Sequence, residues 1–141
     1  LSGAHTVGFA HCKEFAARMG LDSAAAVDPA ANPRFADGIR MACADYAHRP
    51  TIAVFNDVMT PNKFDNVYFQ NLERGLGLLA TDQALASDPR TQPLVKLYAV
   101  NQTAFFHDFV SAMEKLSVYG VKTGRHGEVR RRCDQFNSIT T

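Results

Sequence analysis

The residues best suited to chemistry fall in three stretches. His5 stands in LSGAHTVGFAHC among Gly3, Ala4, Thr6 and Gly8; Asp57, Thr60 and Asp65 crowd NDVMTPNKFD; and Asp82 lies in LLATDQAL. A neutral imidazole is a common metal ligand. Two carboxylates and a hydroxyl in one tight loop are the hard oxygen donors that Ca²⁺ prefers, although their spacing is not that of an EF-hand. An aspartate can give a metal-bound histidine its second partner, accepting the far ring N–H and fixing the tautomer.

Each group also has a plainer reading. A histidine on a small-residue face is commonly a hydrogen-bonded core residue, and the small neighbours that leave room for a planar cofactor equally allow elements to pack closely. Asp57, Thr60 and Asp65 can simply satisfy turn amides. Asp82 reads first as a helix cap, and spacing alone does not bring it near His5. Thr6, beside His5, can offer both hydroxyl and carbonyl to a cation. A zinc site built on His5, His11 and Cys12 is not supported. On a helix His11 falls on roughly the opposite side from His5, and Cys12, on the same side, gives two ligands where structural zinc needs four.

These residues must be held by a fold of modest size. The 141 residues suit one domain, and 46% apolar with 21% charged residues is the composition of a globular chain with a core. No apolar run is long enough to span a membrane, and a net charge of +1 gives no reason to expect nucleic acid. Three cysteines, Cys12, Cys43 and Cys133, allow one internal disulfide and leave a thiol. With the sequon Asn101-Gln102-Thr103, an acceptor for a glycan in a secreted protein, they favour an oxidising compartment. Any export signal would precede Leu1.

Periodicity predicts a mainly α chain of five or six helices and at most a tiny sheet. Residues 1–18 read as a helix already under way, 20–34 as a loop, and 35–47 as a short helix carrying Cys43. A brief β-branched run precedes the turn-rich loop at 56–66. Short helices follow in VYFQNLERG, closed by Gly75, in ATDQAL, and from Pro93 to about Val100. The strongest pattern is TAFFHDFVSAMEKLSVYG, where Phe105, Phe106, Phe109, Val110, Met113 and Leu116 recur at helical steps between a Thr103 cap and Gly120. Arg130, Arg131 and Arg132 read as a solvated face.

Four segments in register carry a resemblance over essentially the whole chain. LSGAHTVGFAHC, NDVMTPNKFDNVYFQNL, GLGLLATDQAL and GEVRRRCDQFN are similar to successive segments of the secretory plant haem peroxidases, those oxidoreductases that serve, among other roles, in the response to oxidative stress. The resemblance implies the proximal helical domain of the haem-peroxidase fold, with residues 1–141 as its C-terminal, proximal part. His5 becomes the axial ligand of haem b iron and Asp82 its hydrogen-bond partner. Thr6, Asp57, Thr60, Asp65 and the Lys63 backbone carbonyl become a calcium site that steadies His5 from the next residue. Cys12 pairs with Cys43, closing a loop worth roughly 3 to 4 kcal/mol in the chain-entropy model, and Cys133 pairs with a cysteine of the N-terminal half.

The activity so implied is reduction of hydrogen peroxide with one-electron oxidation of small phenolic donors, by a protein monomeric when complete and secreted to the cell wall or carried to the vacuole. The family's distal histidine and arginine and its second calcium site precede Leu1, so these residues alone are expected to turn over little peroxide. His11, His48, His107 and His126 match no catalytic position. One departure is Asn56, before Asp57, where many relatives place an apolar or aromatic residue near the iron ligand. The alternative of another class is a non-catalytic, secreted calcium- or haem-binding module.

Overall fold

The computed structural model describes residues 1–22 and 26–137. Part of the loop expected at 20–34 and the last residues of the tail lie outside them. Two short strands and five α-helices follow in chain order: β1 (Phe9–His11), α1 (Pro33–Ala42), β2 (Ala53–Phe55), α2 (Val67–Glu73), α3 (Ala80–Ser87), α4 (Gln92–Val100) and α5 (Gln102–Val118). Short 3₁₀ turns at Ser2–Thr6, Cys12–Glu14 and Gly124–His126 complete the order. The mainly α expectation holds, with the tiny sheet being β1 against β2, antiparallel, in the register Phe9 to Phe55, Ala10 to Val54 and His11 to Ala53.

The opening helix expected over residues 1–18 does not form. The 3₁₀ turn Ser2–Thr6 gives way to extended backbone at Val7 (φ −128°, ψ 166°), and Gly8 takes φ +86°, a conformation that admits glycine far more readily than other residues. The chain then pairs as β1, with Asn56 N–H donating to the Gly8 carbonyl at 3.1 Å. The reasoning that set His11 and His5 on opposite helix faces therefore lapses. Gly3 is small for close packing, since a Cβ there would lie 2.5 Å from the Phe105 ring.

Element ends follow local chemistry. Asn32, with Pro33 at the first helical position, starts α1 by accepting from Arg34 and Phe35 N–H, so the helix begins before Phe35 and ends at Ala42. Asn101, not Thr103, caps α5 by accepting from Ala104 N–H at 3.0 Å. Gly75 closes α2 in the left-handed region at φ +74°.

Two clusters make the core. Cys12, Phe15, Met19, Ile39, Cys43 and Leu78 form one, crossed by the Cys12–Cys43 disulfide, the pairing the resemblance implied. Tyr68, Phe69, Leu72, Val95, Ala99 and Phe105 form the other, extended by Phe64, whose ring stacks on Phe105 at 5.4 Å. Cys133 is exposed and unpaired among the described residues. Arg130, Arg131 and Arg132 are exposed, as expected of a solvated face. Among the described residues no helix is long and apolar enough to cross a membrane.

Candidate haem-ligand and cation site

His5 rides on the 3₁₀ turn and Asp82 on the first turn of α3. Asp82 does not cap its helix: Leu79 is the N-cap and makes no side-chain bond. The carboxylate reaches across instead, with His5 Nδ1 at 3.1 Å from Oδ1 and 2.9 Å from Oδ2. In the carboxylate form Asp82 accepts the Nδ1–H, which leaves Nε2 as the nitrogen with a free lone pair. The imidazole side chain is 39% exposed while that of Asp82 is 4% exposed. The apolar cavity of about 250 Å³ lined by Gly3, Phe69, Phe105 and Phe109 does not include His5.

Burial pushes the Asp82 carboxyl above the usual carboxylate range. The His5 charge and hydrogen bond, the Tyr68 hydroxyl and the Arg18 charge oppose that rise. Arg18 is itself buried, which lowers its guanidinium; Asp28, 3.0 Å from its Nε, works the other way. The neighbour of Asp82, Gln83, locks α3 in place: its Nε2 donates to the Leu72 carbonyl at 2.8 Å and its Oε1 accepts from Gly77 N–H at 3.0 Å. That clamp fixes the turn on which Asp82 is carried.

One residue beyond His5, Thr6 is fully buried. Its hydroxyl donates to the Asp65 carbonyl at 2.8 Å and lies 3.4 Å from the Lys63 carbonyl. Asp57 and Asp65 are 0% and 1% exposed, and the Thr60 hydroxyl bridges them, 3.2 Å from Asp57 Oδ2 and 3.1 Å from Asp65 Oδ1. Asp57 Oδ1 accepts from Met59 N–H, Thr60 N–H and Asn71 Nδ2. Among the described residues Asp65 Oδ2 is buried with no hydrogen-bond donor, and its one cationic neighbour is Lys63 Nζ at 3.5 Å on an exposed side chain. Two buried carboxylates this close repel unless a cation lies between them. The donor set of carboxylate, hydroxyl and carbonyl oxygens fits Ca²⁺. It has two carboxylates only, and no group of three or more His, Cys, Asp or Glu gathers for a metal among the described residues.

All five residues expected at the cation site thus meet, as do His5 and Asp82. The remaining histidines stay apart. His48 and His107 pair with Asp45 and Asp108 at the surface, His126 is exposed, and His11 is half-buried on β1. Sequence reasoning missed Asn71, Gln83, Arg18 and Tyr68. Of these, Gln83 had a local sign, since it follows Asp82 in the same helical turn. Asn56 is buried, with its Oδ1 unpartnered among the described residues.

Comparison with known proteins decides the family. The sequence profile of the family described as Peroxidase matches residues 1–101. The chain belongs to the peroxidase family. It is 59% identical over 137 residues to Peroxidase 31 of Arabidopsis thaliana, covering 97% of this chain and 42% of that protein. Peroxidase 63 of the same plant is also 59% identical over 137 residues, with 97% and 40% covered. Peroxidase 65 is 58% identical over 139 residues, with 99% and 41% covered. The peroxidase chain described here therefore spans about two-fifths of the length of these relatives. The resemblance to secretory plant peroxidases is borne out at the level of the family.

Proposed function

We propose that residues 1–141 are the proximal part of a secreted haem peroxidase, in which His5 Nε2 ligates the iron of haem b and Asp82 holds Nδ1. The carboxylate–histidine pair, His5 to Asp82 at 2.9 Å, carries the proposal. A buried acceptor on one ring nitrogen fixes the tautomer, aims the other nitrogen and makes the ligand more electron-rich. When bound, the haem supplies the redox chemistry that reduces hydrogen peroxide and oxidises small phenolic donors one electron at a time. Acid–base work on the peroxide oxygens needs a group on the opposite haem face, which this proposal assigns to the part of the relatives that the chain does not span. The isolated chain is then nearly inactive, and the complete protein is a monomer.

The second element of the proposal is calcium held by Thr6, Asp57, Thr60, Asp65 and the Lys63 carbonyl. Support comes from the undonated Asp65 Oδ2 and the hydroxyl bridge between the two carboxylates. Since Thr6 follows His5, the ion braces the haem ligand. A glycan on Asn101 completes the secreted character: the α5 cap uses the Asn101 oxygen and leaves its amide nitrogen for the sugar.

Haem titration of the protein beside His5→Ala tests the first element. The parent is expected to develop a Soret band that saturates at one haem per chain, and His5→Ala to lose it. Equal Soret absorbance in the two sinks the assignment of His5 and leaves calcium binding, read separately by calorimetry, to stand or fall on its own.

A further inference from the structure

α2 meets both carboxylates of the cation loop from one face. Val67 N–H, at its first residue, donates to Asp65 Oδ1 at 2.9 Å, and Asn71 Nδ2, one helical turn on, donates to Asp57 Oδ1 at 2.8 Å. Asp57 Oδ1 also accepts from Met59 and Thr60 N–H, at 2.8 and 3.0 Å. Among the described residues Asp57 Oδ2 meets the Thr60 hydroxyl alone, at 3.2 Å, and Asp65 Oδ2 meets no donor. Each carboxylate thus has one oxygen engaged by α2 and one left over. Of the N–H groups on Asp57 Oδ1, those of Met59 and Thr60 belong to its own loop and turn with it. Asn71 ties the carboxylate to the core, where Phe69 and Leu72 of the same helix are buried.

Asn71 is itself 1% exposed. Its orientation follows from charge: an amide oxygen turned to the carboxylate would set lone pair against lone pair, so the NH₂ group faces Asp57. In consequence Asn71 Oδ1 is buried without a donor among the described residues, which costs stability. An apolar side chain would bury no such atom. What the amide contributes is the bond it makes to Asp57.

We propose that Asn71 is a positioning residue of the calcium site: by holding Asp57 Oδ1 it leaves Oδ2 as the oxygen turned to the ion. The proposal rests on the calcium reading above. A partner outside the ligand set that fixes a carboxylate orders it before the ion arrives, so the ion does not bear that cost. Without the amide, only the loop's own N–H groups hold Asp57. The carboxylate then swings, and water replaces it on an ion whose coordination shell is flexible and admits water beside carboxylate. General loosening of α2 would instead lower the melting temperature and leave the number of protein oxygens on the bound ion unchanged.

The test compares the parent with Asn71→Ala and Asn71→Leu, which remove the amide while underfilling and overfilling its space, so that an effect common to both belongs to the amide. Calcium affinity is read by isothermal titration calorimetry, and hydration of the bound ion by Eu³⁺ luminescence lifetimes in H₂O and D₂O at saturation. Both variants are expected to bind Ca²⁺ roughly 10- to 100-fold more weakly than the parent and to carry about one more water on Eu³⁺. Parental affinity in either folded variant, or weaker binding with an unchanged water number, overturns the proposal. Loss of the calcium-free circular dichroism in both variants also overturns it, since Asn71 would then serve the core alone. The two levels separate at the parent. If the parent takes up no Ca²⁺, the ligand set fails and the role of Asn71 goes with it; if parent and variants bind equally well, only the role of Asn71 fails.

Discussion

His5 and Asp82 stand 77 positions apart in the chain, and their side chains meet at 2.9 Å. The pair joins a 3₁₀ turn to a helix, so each element fixes the other's functional residue. Replacing Asp82 by asparagine keeps the shape but turns a charge-assisted bond into a neutral one. Loss of such an outer partner typically weakens metal affinity 10- to 100-fold. Asp82→Asn is thus expected to lower haem affinity by roughly that factor, read from Soret titrations, while the circular dichroism of the haem-free chain stays unchanged. Undiminished affinity would remove Asp82 from the site.

The cation loop makes a prediction of opposite signs. Without calcium, Asp57 and Asp65 face each other as buried carboxylates, and neutralising one relieves repulsion; with calcium, the same change removes a ligand. Asp65→Asn should therefore melt at or above the parent temperature in chelator and below it in saturating calcium. Calcium at a hundred times its Kd stabilises the parent by about 2.7 kcal/mol and is expected to leave the variant nearly unmoved. Scanning calorimetry with and without the ion gives both comparisons, and a variant that responds to calcium like the parent would refute the ligand set.

Much of this was legible in the sequence, and the misses share one cause. Turn chemistry located α2, α3 and α4, short helices with Gly, Pro or Asn near their ends, and a long run of helical period located α5. The cation loop was visible as oxygen-rich turns. The helix expected at residues 1–18 failed because nothing in LSGAHTVGFAHC reports a strand partner that lies at 53–55, and the left-handed Gly8 that permits the bend looks locally like any small residue. Thr103 was chosen over Asn101 as a cap because both types serve and only geometry ranks them. Asp82 was placed beside His5 by family resemblance alone. Tyr68, Arg18 and Asn71 were invisible, since a buried phenol, guanidinium or amide in an apolar stretch is indistinguishable from packing until its polar atom has a direction.

Gly75 ties α2 to the segment before α1. It adopts φ +74°, and its carbonyl accepts from Asn32 N–H at 2.9 Å. A Cβ there would lie 2.9 Å from the Ala30 carbonyl oxygen and 3.0 Å from the Asn32 nitrogen, both backbone atoms that cannot swing aside. The left-handed conformation alone costs a residue with a Cβ about 1–2 kcal/mol, and the backbone clash adds to it. Gly75→Ala is expected to lose about 2 kcal/mol or more on that basis, measured by urea unfolding. Gly38→Ala, at an open position of α1 with nothing near the new methyl, should instead gain up to about 1 kcal/mol. Equal effects at the two positions would contradict the packing at Gly75.

The Tyr98 hydroxyl donates to Asp108 Oδ2 at 2.7 Å, linking α4 to α5. Burial, then the Asp108 hydrogen bond and charge, raise the Tyr98 phenol from 10.0 to about 12. Because the folded chain holds that proton more tightly than the unfolded chain does, the stability it brings is complete below pH 10 and is lost as pH rises toward 12. Asp108 shifts the other way: the Tyr98 bond, then His107, hold its carboxyl below the ordinary range, so its contribution is present at neutral pH and fades in acid. Tyr98→Phe should flatten the alkaline fall in stability between pH 10 and 12, and Asp108→Asn should bring the phenol's absorbance transition near 295 nm back toward the ordinary tyrosine range. Denaturant unfolding across that pH interval, paired with ultraviolet titration, checks both. An alkaline limb identical in the parent and Tyr98→Phe would show that the bond between the two helices contributes nothing to that pH dependence.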